Sequence, residues 1–183
     1  MGNSRMGAKQ TIHRLCKWEH FDEKDLYAKS KRVLELYRDL CVQCPGTTSR
    51  TGRDEPAPGE DEKLRKALDY LEYFPADEDQ GTFEHIVYEC CEPSWMAELV
   101  HTAVLKVREF AGSGSTYETI LTGYYMSQFP LTEGDLVDAL DVDRSTYYRK
   151  KKEAVLLFGV YFWGQAIRQM RCTLGITSTF EKF

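Results

Sequence analysis

The chain has 183 residues, 42% of them hydrophobic and 13% aromatic, which suffices to bury a core in one domain or in one domain with an appendage. Its formal net charge is -5, so any attraction to nucleic acid must be local rather than a property of the whole surface. No apolar run approaches the roughly 20 residues that span a bilayer, and the opening MGNSRMGAKQ holds no apolar stretch of an export signal, so a cytoplasmic location and free thiols at the six cysteines are expected.

Residues 1–44 read as an N-terminal amphipathic helical segment. Within it, EKDLYAKSKRVLELYRDLC spaces Leu26, Val33, Leu36, Tyr37 and Leu40 at helical intervals and predicts an exposed amphipathic helix. The next stretch, CPGTTSRTGRDEPAPGEDE, holds three prolines, three glycines and no large apolar side chain, and 45–62 is expected to be a flexible linker. A helical domain then occupies 63–183. It opens on KLRKALDYLEYF, which Pro75 ends. TFEHIVYECC has strand-like composition, but Phe83, Ile86, Val87 and Cys90 share a helix face and favour helix. SWMAELVHTAVLKVREF carries one continuous apolar stripe after Pro93 and predicts a helix.

Ser115 with Glu118 predicts a capping box that opens TYETILTGYYMSQF, and Thr132 with Asp135 repeats a related start for EGDLVDAL. No hairpin signal or internal repeat occurs. The fold class is therefore all-α: a helical bundle with a C-terminal helix-turn-helix at about 131–158 and a long apolar C-terminal helix. Cys41-x-x-Cys44 with Cys90 and Cys91 supplies four soft ligands, but adjacent cysteines seldom share one zinc ion, and no metal site is expected. Gly-rich phosphate loops, HExxH and GxSxG are absent, so the expectation is a protein that is not an enzyme, with no catalytic residues and no cofactor.

Charge is placed unevenly. Residues 54–98 carry fourteen acids against Lys63, Arg65 and Lys66, whereas 143–183 carry eight bases against Asp143, Glu153 and Glu181. The densest positive charge follows a turn, in DALDVDRSTYYRKKKEAV. Leu136, Val137 and Leu140 give a first helix its inner face, and Asp141 occupies a turn position where a left-handed conformation is needed. Val142 plugs the corner, and Asp143 or Ser145 caps a second helix whose inward residues are Tyr147, Ala154, Val155 and Phe158. At 100° per residue, Ser145, Tyr148, Arg149 and Lys152 fall on the opposite side, flanked by Arg144 and Thr146. One of Lys150 and Lys151 must run along the core edge. The candidate DNA contacts are Arg144, Ser145, Thr146, Tyr148, Arg149, Lys150 and Lys152, because guanidinium groups grip guanine edges, hydroxyls bond bases or phosphates, and lysines neutralise phosphate.

DLVDALDVDRSTYYRKKKEAV resembles the C-terminal helix-turn-helix of small phage-encoded transcription regulators of the ArpU and RinA kind, which is itself similar to the DNA-binding region of sigma factors. The specific likeness covers about 40 residues, Tyr117 to Phe158, and departs from the family pattern in having Asp141 rather than glycine in the turn. It implies sequence-specific binding to double-stranded DNA in control of phage or prophage genes, with RNA polymerase as a further partner. A small terminase subunit for DNA packaging, or a protein–protein adaptor that no longer touches DNA, are the alternatives. Downstream, VLLFGVYFWGQAI is apolar almost all round, so it must be covered by another helix or another chain. Self-association as a homo-oligomer through Phe158, Phe162 and Trp163 is the first expectation, and packing within the monomer against residues 26–40 is the second.

Overall fold

The computed structural model describes residues 7–43 and 60–175. Among them the chain is entirely helical: α1 (Ala8–Trp18), α2 (Glu23–Gln43), α3 (Glu60–Tyr73), α4 (Gln80–Cys90), α5 (Pro93–Arg108), α6 (Gly114–Leu121), α7 (Glu133–Leu140), α8 (Arg144–Tyr161) and α9 (Ile167–Thr173), with π-helical turns at Thr122–Met126 and Phe162–Ala166. No described helix is long and apolar enough to cross a membrane. Of the linker expected at 45–62, residues 45–59 lie outside the described residues, and 60–62 already belong to the first turn of α3.

α8 is the axis of the fold. Its residues from Ala154 to Val160 are all buried, so this half of the helix has no side left for water. α1, α2, α5 and α6 all pack on it. The helix predicted as exposed at 23–41 is instead central: Val33, Leu34 and Leu36 are wholly buried and Tyr37 is 1% exposed, because the apolar stripe of α2 is one wall of the sheath around α8. The N-terminal segment is thus two helices sharing one core with the rest of the described chain, not an appendage.

That packing overturns the proposed self-association role of Phe158, Phe162 and Trp163. Phe158 and Phe162 have no exposed surface, and Trp163 donates its Nε1–H to the Leu71 carbonyl at 2.8 Å. Their rings are covered by the chain itself, the second of the two expectations. α3 and α4 pair through Tyr70, Phe74 and Phe83, the last two with ring centroids 4.6 Å apart. α9 holds α3 by charge: the buried Arg171 donates from Nη2 to Asp69 at 2.6 Å and to Glu72 at 2.9 Å.

Helix starts follow local chemistry. Asp79 caps α4 by accepting from the Thr82 N–H, and Pro93 opens α5. The capping box expected at Ser115 and Glu118 does not form. α6 begins two residues earlier than expected, at Gly114, in a buried position where a Cβ would overlap the Arg108 carbonyl, and Glu118 turns towards Arg108 Nη1 at 3.7 Å.

α2 and α8 approach most closely at Gly159. A Cβ there would overlap the Ser30 hydroxyl and lie 2.9 Å from Leu26 Cγ, both on α2. Gly→Ala inside a helix ordinarily stabilises by up to about 1 kcal/mol. Here overpacking reverses the sign, and Gly159→Ala should cost about 1 to 3 kcal/mol in denaturant unfolding, with part recovered by adding Ser30→Ala. A more stable Gly159→Ala protein would show that the two helices are free to move apart.

Candidate functional site

α7 and α8 form a small unit built onto the end of this core. α7 starts at a reciprocal capping box, with Thr132 Oγ1 accepting from the Asp135 N–H and the Asp135 carboxylate accepting from the Thr132 N–H. It stops at Asp141, whose backbone is left-handed at φ 50° and ψ 49°. Two residues later Asp143 caps α8, accepting from the Thr146 N–H at 2.9 Å. The turn thus uses an aspartate where glycine is common, and of the two expected caps it is Asp143 that serves. Ile120, Leu136 and Tyr147 make a buried nucleus, with Tyr124, Val137, Leu140 and Val142 packed around it. Gly123 lets Leu136 and Leu131 come close, since a Cβ would sit 3.0 Å from one and 3.2 Å from the other.

Glu133 ties the two helices together. Its carboxylate accepts from Tyr148 Oη at 2.7 Å and from Lys151 Nζ at 2.6 Å. Lys151 is the lysine that runs inward: its side chain is only 14% exposed, and its ammonium lies 3.6 Å from the Tyr124 ring centroid. The Arg38 guanidinium, from α2, lies 4.6 Å from the same ring. Tyr124 thereby couples the α7–α8 unit to the main core through two cations.

Of the residues expected to face outward, Arg144, Ser145, Tyr148, Arg149 and Lys152 are exposed, and Thr146 and Lys150 are half-buried. Arg144, Arg149 and Lys152 make no ion pair with another described residue. Lys150 leans over Tyr117, with Nζ 6.0 Å from its ring centroid. The hydroxyls are not free in the same way. Ser145 donates to Asp143 Oδ1 at 2.5 Å, Thr146 donates to Asp143 Oδ2 at 2.8 Å, and Tyr148 donates to Glu133. Sequence reasoning missed Glu133 altogether, because its partners lie 15 and 18 residues away and no local spacing marks such a pair. The Asp143 bonds had a visible signal in the Asp-x-Ser-Thr spacing of a helix start.

These bonds set the charges of the unit. The Ser145 hydroxyl, then the Thr146 N–H and hydroxyl, hold the Asp143 carboxyl well below the usual carboxylate range. Lys151, then Tyr148, lower the Glu133 carboxyl, and the Thr132 side chain and backbone lower that of Asp135. Elsewhere, burial pushes the Cys16 thiol up to about 11 and Cys91 up to about 12, so neither is a thiolate at neutral pH. Among the described residues no cluster of His, Cys, Asp and Glu converges on a metal position, and Cys44 lies outside them. No family model, no curated protein and no solved structure matches the chain.

Two outcomes follow for stability. The Tyr147 hydroxyl is buried without a hydrogen-bond partner among the described residues, so Tyr147→Phe should leave the melting temperature unchanged or raise it, by up to about 1 kcal/mol in stability, where the loss of a satisfied hydroxyl would lower it. The depressed Glu133, Asp135 and Asp143 carboxyls contribute stability that is fully present above their unfolded values near pH 4 and is lost as pH falls through the lower folded values. Asp143→Asn keeps a competent cap at neutral pH but cannot titrate. Its melting temperature should lie below that of the wild type at pH 7 and fall less steeply below pH 4, so that the two converge in acid, and parallel acid limbs for the two proteins would contradict the assigned role.

Proposed function

We propose that the chain binds double-stranded DNA sequence-specifically, with α7 and α8 as a helix-turn-helix and the N-terminal half of α8 as its reading helix, in a transcription regulator of phage or prophage genes. The observation that carries the DNA reading is the outward stripe of α8. Arg144, Arg149 and Lys152 remain exposed with no described carboxylate against them, while the one lysine in the run that would clash with the core, Lys151, is drawn inward to Glu133. The assignment to phage gene control rests on the resemblance of residues 117–158 to ArpU- and RinA-like regulators.

Footprinting of the full chain across the DNA of its own source replicon tests this reading. Arg149→Ala should weaken the specific complex by roughly 10- to 100-fold, as expected for loss of a guanidinium contact worth about 1 to 3 kcal/mol, with the melting temperature unchanged. Contacts from Arg144, Arg149, Lys150 and Lys152 imply a log–log salt slope of about -3 to -4 per reading head. Lys152→Gln should flatten the slope by about 1, whereas Lys151→Gln should lower stability and leave the slope in place. Protection at a promoter supports regulation, and protection confined to a packaging start supports the terminase alternative. If no fragment is protected and neither lysine variant changes the salt slope, the adaptor alternative replaces the DNA reading.

A further inference from the structure

The start of α8 carries three hydroxyls, on Ser145, Thr146 and Tyr148, and each gives its only proton to a carboxylate of the same unit. A hydroxyl has one proton to donate and two lone pairs with which to accept. Asp143 and Glu133 accept those protons across oxygen–oxygen distances of 2.5 to 2.8 Å, and both carboxyls titrate below the ordinary range, so they are ionised at neutral pH. What Ser145 and Tyr148 present to the outside is therefore an acceptor. Thr146 is half-buried, and the other two are exposed three residues apart on one face of the helix.

An acceptor cannot bond a phosphate oxygen, nor N7 and O6 of guanine, nor O4 of thymine, all of which are acceptors themselves. In the major groove it can meet only the exocyclic amino groups, N6 of adenine and N4 of cytosine. Arg144 and Arg149 have the opposite character, donors with no acceptor, and are suited to guanine edges and phosphates.

We infer that Ser145 and Tyr148 are specificity-determining residues that select amino-bearing bases, adenine or cytosine, and that Glu133 is a positioning residue that enforces this choice by holding the Tyr148 proton. This rests on α8 being the reading helix. Glu133 also orients the ring: Tyr148 lies edge-on to Tyr147, with centroids 5.5 Å apart and planes at 67°, and its phenol is anchored at the far end by the carboxylate. A tyrosine fixed at both ends presents its oxygen in one direction, which a freely rotating phenol would not do.

The experiment selects duplexes from a randomised pool with the full chain. It then replaces each adenine of the selected site by purine, which lacks the 6-amino group, and each cytosine by 2-pyrimidinone, which lacks the 4-amino group. The expected result is one or two positions at which removal of the amino group weakens binding about tenfold or more. Tyr148→Phe should abolish that sensitivity at one position and Ser145→Ala at another, each leaving the affinity for the amino-less duplex near the wild-type value. Glu133→Ala, checked for folding by its melting temperature, should free the phenol proton and admit guanine or thymine at the Tyr148 position. Should Glu133→Ala fail to fold, the two side-chain variants and the base analogues decide the matter without it. Wild-type binding indifferent to every amino deletion would overturn the inference while leaving the DNA reading intact. Sensitivity that persists unchanged in both Tyr148→Phe and Ser145→Ala would overturn the assignment to these residues. Failure to select any duplex would overturn the DNA reading, and the inference with it.

Discussion

A helix whose residues from 154 to 160 are all buried can persist in water only if other helices close round it, and that requirement governs where everything else in this chain sits. α2 lies close enough at Gly159 that no side chain fits between the helices. α1, α5 and α6 cover the remaining sides, and the α3–α4 pair is tied to Trp163, in the second π turn. The other half of the same helix, Arg144 to Glu153, runs out of this sheath and carries the charged and hydroxylated face. The two halves differ sharply in composition because one side chain set must exclude water and the other must meet it. Since no break separates them, the exposed face is held at an angle set by the buried half.

For the proposed DNA reading, that continuity would matter. A reading face built on a loop or on a lightly docked helix must be ordered when it binds, at a cost in entropy. Here Tyr147 is buried beneath Leu136, and Lys151 sits against Tyr124, which is in turn approached by Arg38 from α2. The chain of contacts Glu133, Lys151, Tyr124, Arg38 leads from the start of α7 to α2, a wall of the core. Each of these polar groups is matched to a partner of opposite character, which is what a partly buried charge requires. The unit is thus pre-organised by the same helix packing that makes the fold.

Most helices of the described chain were legible in the sequence because apolar spacing reports a helix directly, whereas α1 and α9 were not separated from the neighbouring segments. The left-handed Asp141, the box at Thr132 and the inward set Tyr147, Ala154, Val155 and Phe158 were legible for the same reason: each depends on residues within one or two turns. What was misread depended on tertiary context. The stripe on α2 was read as exposed because it is flanked by charges, yet flanking charges are equally expected on a helix that forms the wall of a core and shows its other side to water. Phe162 and Trp163 were assigned to a second chain because an all-round apolar helix announces only that it will be covered, not by what. Ser115 lost its cap because the close approach of Gly114 to Arg108 decides where α6 begins. In the candidate site, the positions of the outward residues were legible, but the destinations of their protons were not. Helical geometry fixes where a hydroxyl points, whereas its hydrogen bond depends on a carboxylate that another element brings up.

The electrostatics of the α7–α8 unit constrain what recognition through it would involve. Five carboxylates from Glu133 to Asp143 precede five cations from Arg144 to Lys152, so the unit is neutral when viewed from farther away than its own width. With screening over about 8 Å at physiological ionic strength, DNA approaching from a distance feels little attraction, and the acidic 54–98 region opposes it. Attraction arises only once Arg144, Arg149 and Lys152 are nearer to phosphate than the carboxylates behind them. If α8 reads DNA as proposed, such a surface would gain little long-range attraction, and its discrimination would rest on short-range fit to base edges. A carboxylate-backed hydroxyl contributes to that fit in a way an isolated one cannot. The same ionised group that weakens long-range attraction removes the hydroxyl's ability to settle for a phosphate, so charge and hydrogen-bond polarity press towards discrimination together.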